Sequence, residues 1–117
     1  MLSLSLPLDI YLCVPAADMR RSFDGLIRMA EAHLGRDPLR GGLYVFINKR
    51  RDRVKLLYFD TDGPAIWYKR LEQGTYELPR VDEATEGVTL SSTELALLLG
   101  GIDLSSVRRR KRYRRVG

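Results

Sequence analysis

The sequence predicts an α+β domain: a mostly antiparallel sheet of four to five strands, a helix near each end, and a disordered basic C-terminal tail. Three observations carry that expectation. Between residues 43 and 71, three apolar, aromatic and β-branched runs alternate with turn-forming residues, the pattern of consecutive antiparallel strands. On either side of them lies a segment with apolar residues three and four apart, which lines one face of a helix. Residues 108–115 read RRRKRYRR and hold seven of the 20 Lys and Arg, a run with too little apolar surface to order itself in isolation.

At 117 residues and 13.4 kDa, the chain is the size of one domain, large enough to bury a core without disulfides or metal. Residues 1–104 form the expected body and 105–117 the tail. With 44% hydrophobic and 30% charged residues, the composition is that of a globular protein rather than a disordered or membrane one. A lone Cys13 permits no internal disulfide, and with His33 as the single histidine a zinc site lacks ligands. A reduced, cytoplasmic setting is therefore expected. The N-terminal MLSLSLPLDIYLCV has no basic start and carries Asp9 in its middle, unlike a secretory signal.

The first strand is Ile10 to Val14, closed by Pro15. Asp18 then precedes Met19, Phe23, Leu26, Ile27, Ala30 and Leu34, whose spacing predicts a helix capped by Asp18 or Ser22 and ending at Gly35. After Gly41 and Gly42, the run Leu43–Ile47 is apolar on both faces and reads as a covered strand. Asn48–Arg53 turns the chain into Val54–Phe59, and Asp60–Gly63 turns it again into Ala65–Leu71. Tyr76 to Leu78 suggests a short edge strand stopped by Pro79, with a polar loop over 80–87. The second helix begins within Thr89–Ser92, where Ser91 and Glu94 have capping-box spacing, and Gly100 and Gly101 end it.

No nucleophile, base and orienting group can be assembled from one histidine and one cysteine far apart in sequence. Neither catalytic nor metal-binding residues are assigned, and no cofactor is expected. Asp60 and Asp62 could hold a metal only with a third acid, and local turn hydrogen bonding explains them as well.

The cations make the stronger case. Outside the tail, 13 basic residues face 15 acidic ones, so the net basic character of the chain belongs to the tail. Lys49, Arg50, Arg51, Arg53 and Lys55 nevertheless gather around one predicted hairpin turn, with Lys69 and Arg70 on the neighbouring strand. Such a hairpin can sit against phosphates, although charged turns also keep sheet edges from pairing. The tail residues Arg108, Arg109, Arg110, Lys111, Arg112, Arg114 and Arg115, with Tyr113 among them, have the composition of an arm that binds nucleic acid by releasing counterions. A solubilising or partner-docking tail has the same composition. The sheet is rich in aromatics, and exposure of Trp67 or Tyr68 on one side beside Lys69 and Arg70 would make a base-stacking platform.

Four segments, in order, resemble a known family: Asp18–Leu26 (DMRRSFDGL), Gly41–Leu57 (GGLYVFINKRRDRVKLL), Lys69–Gly74 (KRLEQG) and Leu98–Asp103 (LLGGID). Together they are similar to the TnpB accessory proteins of the IS sixty-six insertion-sequence family. The resemblance implies a small bacterial protein encoded beside a transposase and assisting transposition, unrelated to the RNA-guided nucleases that share the TnpB name. It supplies no catalytic residues. The sequence departs from common members in its N-terminal MLSLSLPLD and in Tyr76 of the GTYELP segment.

Three functions stand in order. In the first, the protein binds DNA without catalysis while the transposase of the same element acts. In the second, it is an adaptor for that transposase without DNA contact. In the third, it is a metal-dependent nuclease using Asp60 and Asp62. No membrane partner is expected, and the sequence leaves the oligomeric state open.

Overall fold

The structure is a computed structural model and describes residues 9–100. The chain runs through β1 (Ile10–Cys13), α1 (Phe23–Leu34), a single 3-10 turn (Pro38–Arg40), β2 (Leu43–Ile47), β3 (Arg53–Asp60), β4 (Gly63–Arg70), β5 (Gly87–Leu90) and α2 (Ser92–Leu99). The five strands form one sheet in the order β4-β3-β2-β1-β5. Only β1 and β2 are parallel, which requires a long crossover, and α1 supplies it. Every other pairing is antiparallel, so the architecture is α+β with a mostly antiparallel sheet.

Both faces of the sheet are covered, which is why β2 is buried at all five positions. On one face Tyr11, Tyr44, Phe46 and Leu57 meet Leu26, Met29 and Ala30 of α1. On the other, Leu12, Val45, Val54 and Leu56 meet Leu95 and Leu98 of α2 together with Tyr76. Each fully buried leucine contributes about 1.5–3 kcal/mol of apolar burial, so the two helices are held mainly by these contacts. Gly35 ends α1 in the left-handed conformation, φ 63°, and its N–H donates to the Glu31 carbonyl at 3.1 Å, a geometry in which any Cβ is strained. At the start of α2 the Ser91–Glu94 capping box is present in both directions.

Of the two caps expected for the first helix, Ser22 is the N-cap and α1 starts at Phe23, because residues 17–22 are an irregular strap bonded to the sheet: Ala17 N–H donates to the Ile47 carbonyl at 2.9 Å. Met19 still packs against the α1-side core, and so its spacing imitates a helix that is not there. Tyr76–Leu78 is not a strand. The Tyr76 N–H instead donates to the Arg51 carbonyl at 2.7 Å, and the side chain plugs the α2-side core at 1% exposure. The second helix starts at Ser92 behind its Ser91 cap, at the end of the expected window, while Thr89 belongs to β5, a strand the sequence did not suggest, which pairs with β1 from Gly87 to Leu90. Among the described residues no helix is long and apolar enough to cross a membrane.

Candidate functional site

Asn48 builds the turn between β2 and β3. Its side-chain oxygen accepts from the Asp52 and Arg53 N–H groups, both at 3.0 Å, and its amide donates to Asp52 Oδ1 at 2.7 Å. That amide, with Arg50 and Arg53 nearby, holds the Asp52 carboxyl below its ordinary pKa. The carbonyls of Arg51 and Asp52 accept from Tyr76 and Leu71 at 2.7 and 2.8 Å, so the turn is tied from outside as well as from within. Arg51 itself sits at φ 61°, a conformation that glycine or asparagine fills more cheaply by about 1–2 kcal/mol.

This rigid turn presents Lys49, Arg50 and Arg51, all exposed. Arg53 and Arg70 stand directly opposite each other across the adjoining β3–β4 rung, an arrangement that is unfavourable for like charges. Each has a neighbour that eases it: Arg53 donates to the Tyr68 hydroxyl at 3.3 Å, and Arg70 pairs with Glu72 at 3.2 Å. Five of the expected cations are thus brought to one end of the sheet.

Lys55 is not among them. It lies 8% exposed, and its Nζ donates to the Met19 and Arg21 carbonyls at 2.8 and 2.7 Å, with the Tyr68 ring centroid 4.8 Å away. Its charge is spent in holding the strap of residues 17–22 to β3. Lys69 points to the α2 side of the sheet, where its Nζ reaches the Leu99 carbonyl at 3.5 Å. That contact places the end of α2 beside the basic end of β4. Arg108, Arg109, Arg110, Lys111, Arg112, Arg114 and Arg115 lie outside the described residues.

The strap carries two further cations, both engaged locally: Arg20 pairs with Asp18 at 2.6 Å, and Arg21 donates to the Gly25 carbonyl of α1 at 3.5 Å. They were legible only as part of the DMRRSFDGL segment, because nothing local shows that Lys55, more than thirty residues on, draws their backbone to the hairpin. Residues 17–19 and 48–53 form the walls of an open groove of about 290 Å³. Its two carboxylates are both engaged, Asp52 by Asn48 and Asp18 by Arg20 at 2.6 Å, which with the Arg20 backbone N–H holds the Asp18 carboxyl at about 2. Both carboxylates stay ionised, so the groove carries a mixed lining in which Lys49, Arg50 and Arg53 outnumber Asp18 and Asp52.

Asp60 and Asp62 are exposed on the β3–β4 turn. Among the described residues no group of three or more histidine, cysteine or acidic side chains is placed to hold a metal ion. His33 Nδ1 lies 2.8 Å from Glu86, joining the end of α1 to the loop before β5. Cys13 is buried, and desolvation, with Glu86 nearby, pushes its thiol from 9.0 up to about 11, the opposite of what a nucleophile needs.

The family model described as IS66 Orf2 like protein matches residues 8–109. Two relatives from Sinorhizobium fredii (strain NBRC 101917 / NGR234) are similar along most of their length. The chain is 33% identical to "Uncharacterized protein y4jC" over 103 residues, 88% of this chain and 86% of that one. It is 29% identical to "Uncharacterized protein y4hO" over 94 residues, 80% of each. No solved structure matches at a comparable level of significance.

Proposed function

The chain belongs to the IS66 Orf2-like family and is a transposition-associated accessory protein, and from that premise we propose that it binds DNA non-catalytically, with the transposase of the same element supplying the chemistry. The observation that carries the reading is the convergence of five cations on one end of the sheet. Lys49, Arg50 and Arg51 come from the turn, and Arg53 and Arg70 from opposed strand positions. Holding like charges together costs stability, and so does an arginine at φ 61°. An anionic backbone docked against the cluster offsets both by neutralising charge and releasing counterions.

On this reading the tail serves the same surface. Arg108 is eight residues beyond Gly100, a distance the chain covers with up to about 27 Å of extended backbone. Starting beside Lys69, the cations from Arg108 to Arg115 reach a duplex seated on the hairpin, and with seven charges they supply the larger part of its affinity. The test is a DNA titration of the full chain and a 1–104 truncation at two salt concentrations, with terminal-repeat and unrelated duplexes. A steep salt slope that shallows on truncation supports the arm. A truncation that binds as tightly at low salt as the full chain removes the tail from the reading, and preference for the repeat assigns specificity to the body.

One observation favours the second reading, an adaptor for the transposase. Phe23, Leu39 and Phe59 are each more than 40% exposed, apolar side chains that a protein partner could cover. The same titration separates the two, since an adaptor gives no DNA binding by either chain and full-length transposase becomes the partner that is captured.

A further inference from the structure

Among the aromatics of the sheet, Tyr68 differs from all its neighbours in how it is held. Trp67, one position earlier on β4, faces the other way and packs against the α2-side core. Tyr68 remains 47% exposed, yet two cations fix it. The Lys55 ammonium lies 4.8 Å from the ring centroid, and the Arg53 guanidinium donates to its hydroxyl at 3.3 Å. Because Lys55 is itself only 8% exposed, the ring lies over the ammonium and shields it. Tyr68 thus keeps nearly half its area in solvent while an ammonium holds one side of its ring. An aromatic face turned to solvent and fixed by an ammonium beneath it has already lost the rotamer freedom that binding would otherwise remove. On the same face, the next rung beyond Tyr68 and Lys55 is the facing pair Arg53 and Arg70, two cations placed together to hold a phosphate adjoining a base on the ring.

We propose that Tyr68 is a stacking platform for an unpaired base of single-stranded DNA, with Arg53 and Arg70 holding the phosphate that adjoins it on one side. The proposal rests on the DNA reading above and adds the strandedness of the ligand. A duplex keeps its bases stacked on one another and offers this ring no π-face, whereas a single strand or a frayed end does. The hairpin cations serve either form, because they meet only backbone. The ring therefore separates single strands from duplexes and the hairpin does not.

The experiment uses the full chain and three variants, Tyr68→Phe, Tyr68→Leu and Arg70→Ala, with fluorescence anisotropy on a labelled oligothymidine of about 12 nucleotides and on a duplex of equal length. Tyr68→Leu keeps cover over Lys55 but has no π-face, and circular dichroism checks that each variant folds. Tyr68→Leu is expected to weaken single-strand binding by about 5- to 150-fold, the range for removing one stacked aromatic, and to leave duplex binding as it was. Tyr68→Phe is expected to bind as the parent, and Arg70→Ala to weaken both probes. If the parent binds both probes and Tyr68→Leu binds the single strand equally well, or loses both forms in parallel, stacking is overturned while the DNA reading stands. Preference of the parent for an oligouridine over the oligothymidine overturns DNA as the ligand of the platform. If the parent binds neither probe, the DNA reading fails first and takes this one with it.

Discussion

Replacing Lys55 by methionine separates the role of this residue in the fold from the surface role that its sequence neighbourhood suggests. The methionine keeps an unbranched apolar stem against Tyr68 and deletes only the ammonium. Two charge-assisted hydrogen bonds disappear, to the Met19 and Arg21 carbonyls, each worth about 1.5–3 kcal/mol. The interaction with the Tyr68 ring adds about 0.5–2 kcal/mol. Against this, burying an ammonium costs several kcal/mol that the variant no longer bears, and the freed carbonyls belong to a strap that water reaches. The net destabilisation is about 1–3 kcal/mol, which for a domain of this size lowers Tm by about 4–8 °C per kcal/mol. Thermal unfolding followed by circular dichroism measures it, and the salt slope of DNA binding, taken well below Tm, is expected to stay unchanged. A Tm equal to the parent's refutes the strap-holding role. A reduced salt slope at unchanged Tm returns Lys55 to the binding surface.

Other perturbations follow from the same geometry. Arg51→Gly relieves the left-handed strain at φ 61° but loosens the unfolded chain, for a net stability gain of about 0.5–1 kcal/mol, while DNA affinity falls; urea titration and binding should move in opposite directions, and a fall in both refutes it. The buried Tyr76 hydroxyl finds no hydrogen-bond partner among the described residues, so Tyr76→Phe is expected to raise stability by about 1 kcal/mol, and a lower Tm contradicts that orphan status. Burial pushes Tyr76 up to about 12 and Cys13 to about 11. Both folded values exceed the unfolded ones, so the neutral forms stabilise the fold at lower pH and that stability is lost as pH rises from about 9 towards 12. Stability measured across that window should fall, less steeply in Tyr76→Phe. Ser91→Ala removes the cap of α2 and should cost about 1 kcal/mol in urea titration.

The parts of the fold written in local pattern were legible from the residues. Leu43–Ile47 reads as covered because it is apolar on both faces, and the Ser91–Glu94 spacing states its own cap. What failed did so where distant residues decide. The spacing of Met19 continues that of Phe23 and Leu26, yet Lys55 and Ile47 take the strap's backbone groups and leave no helix to form. Gly87–Leu90 is four residues with little alternation, and only the facing edge of β1 makes it a strand. Tyr76 resembles an edge residue until the carbonyl of Arg51 is seen to anchor it over the core. The candidate site divides in the same way. The KRRDR turn shows its charge in sequence, but the burial of Lys55 and the fixed ring of Tyr68 both depend on how the strap crosses β3.

The central claim is that the hairpin end of the sheet meets a DNA backbone, and the most direct measurement is the salt dependence of duplex binding by the full chain and by Lys49→Ala/Arg50→Ala/Arg51→Ala. Between about 50 and 200 mM salt, log affinity should fall linearly with log salt, and the triple substitution should reduce the slope by about 0.9 for each phosphate that the hairpin no longer neutralises. An unchanged slope in a folded triple variant, or no binding by the parent at low salt, contradicts the account.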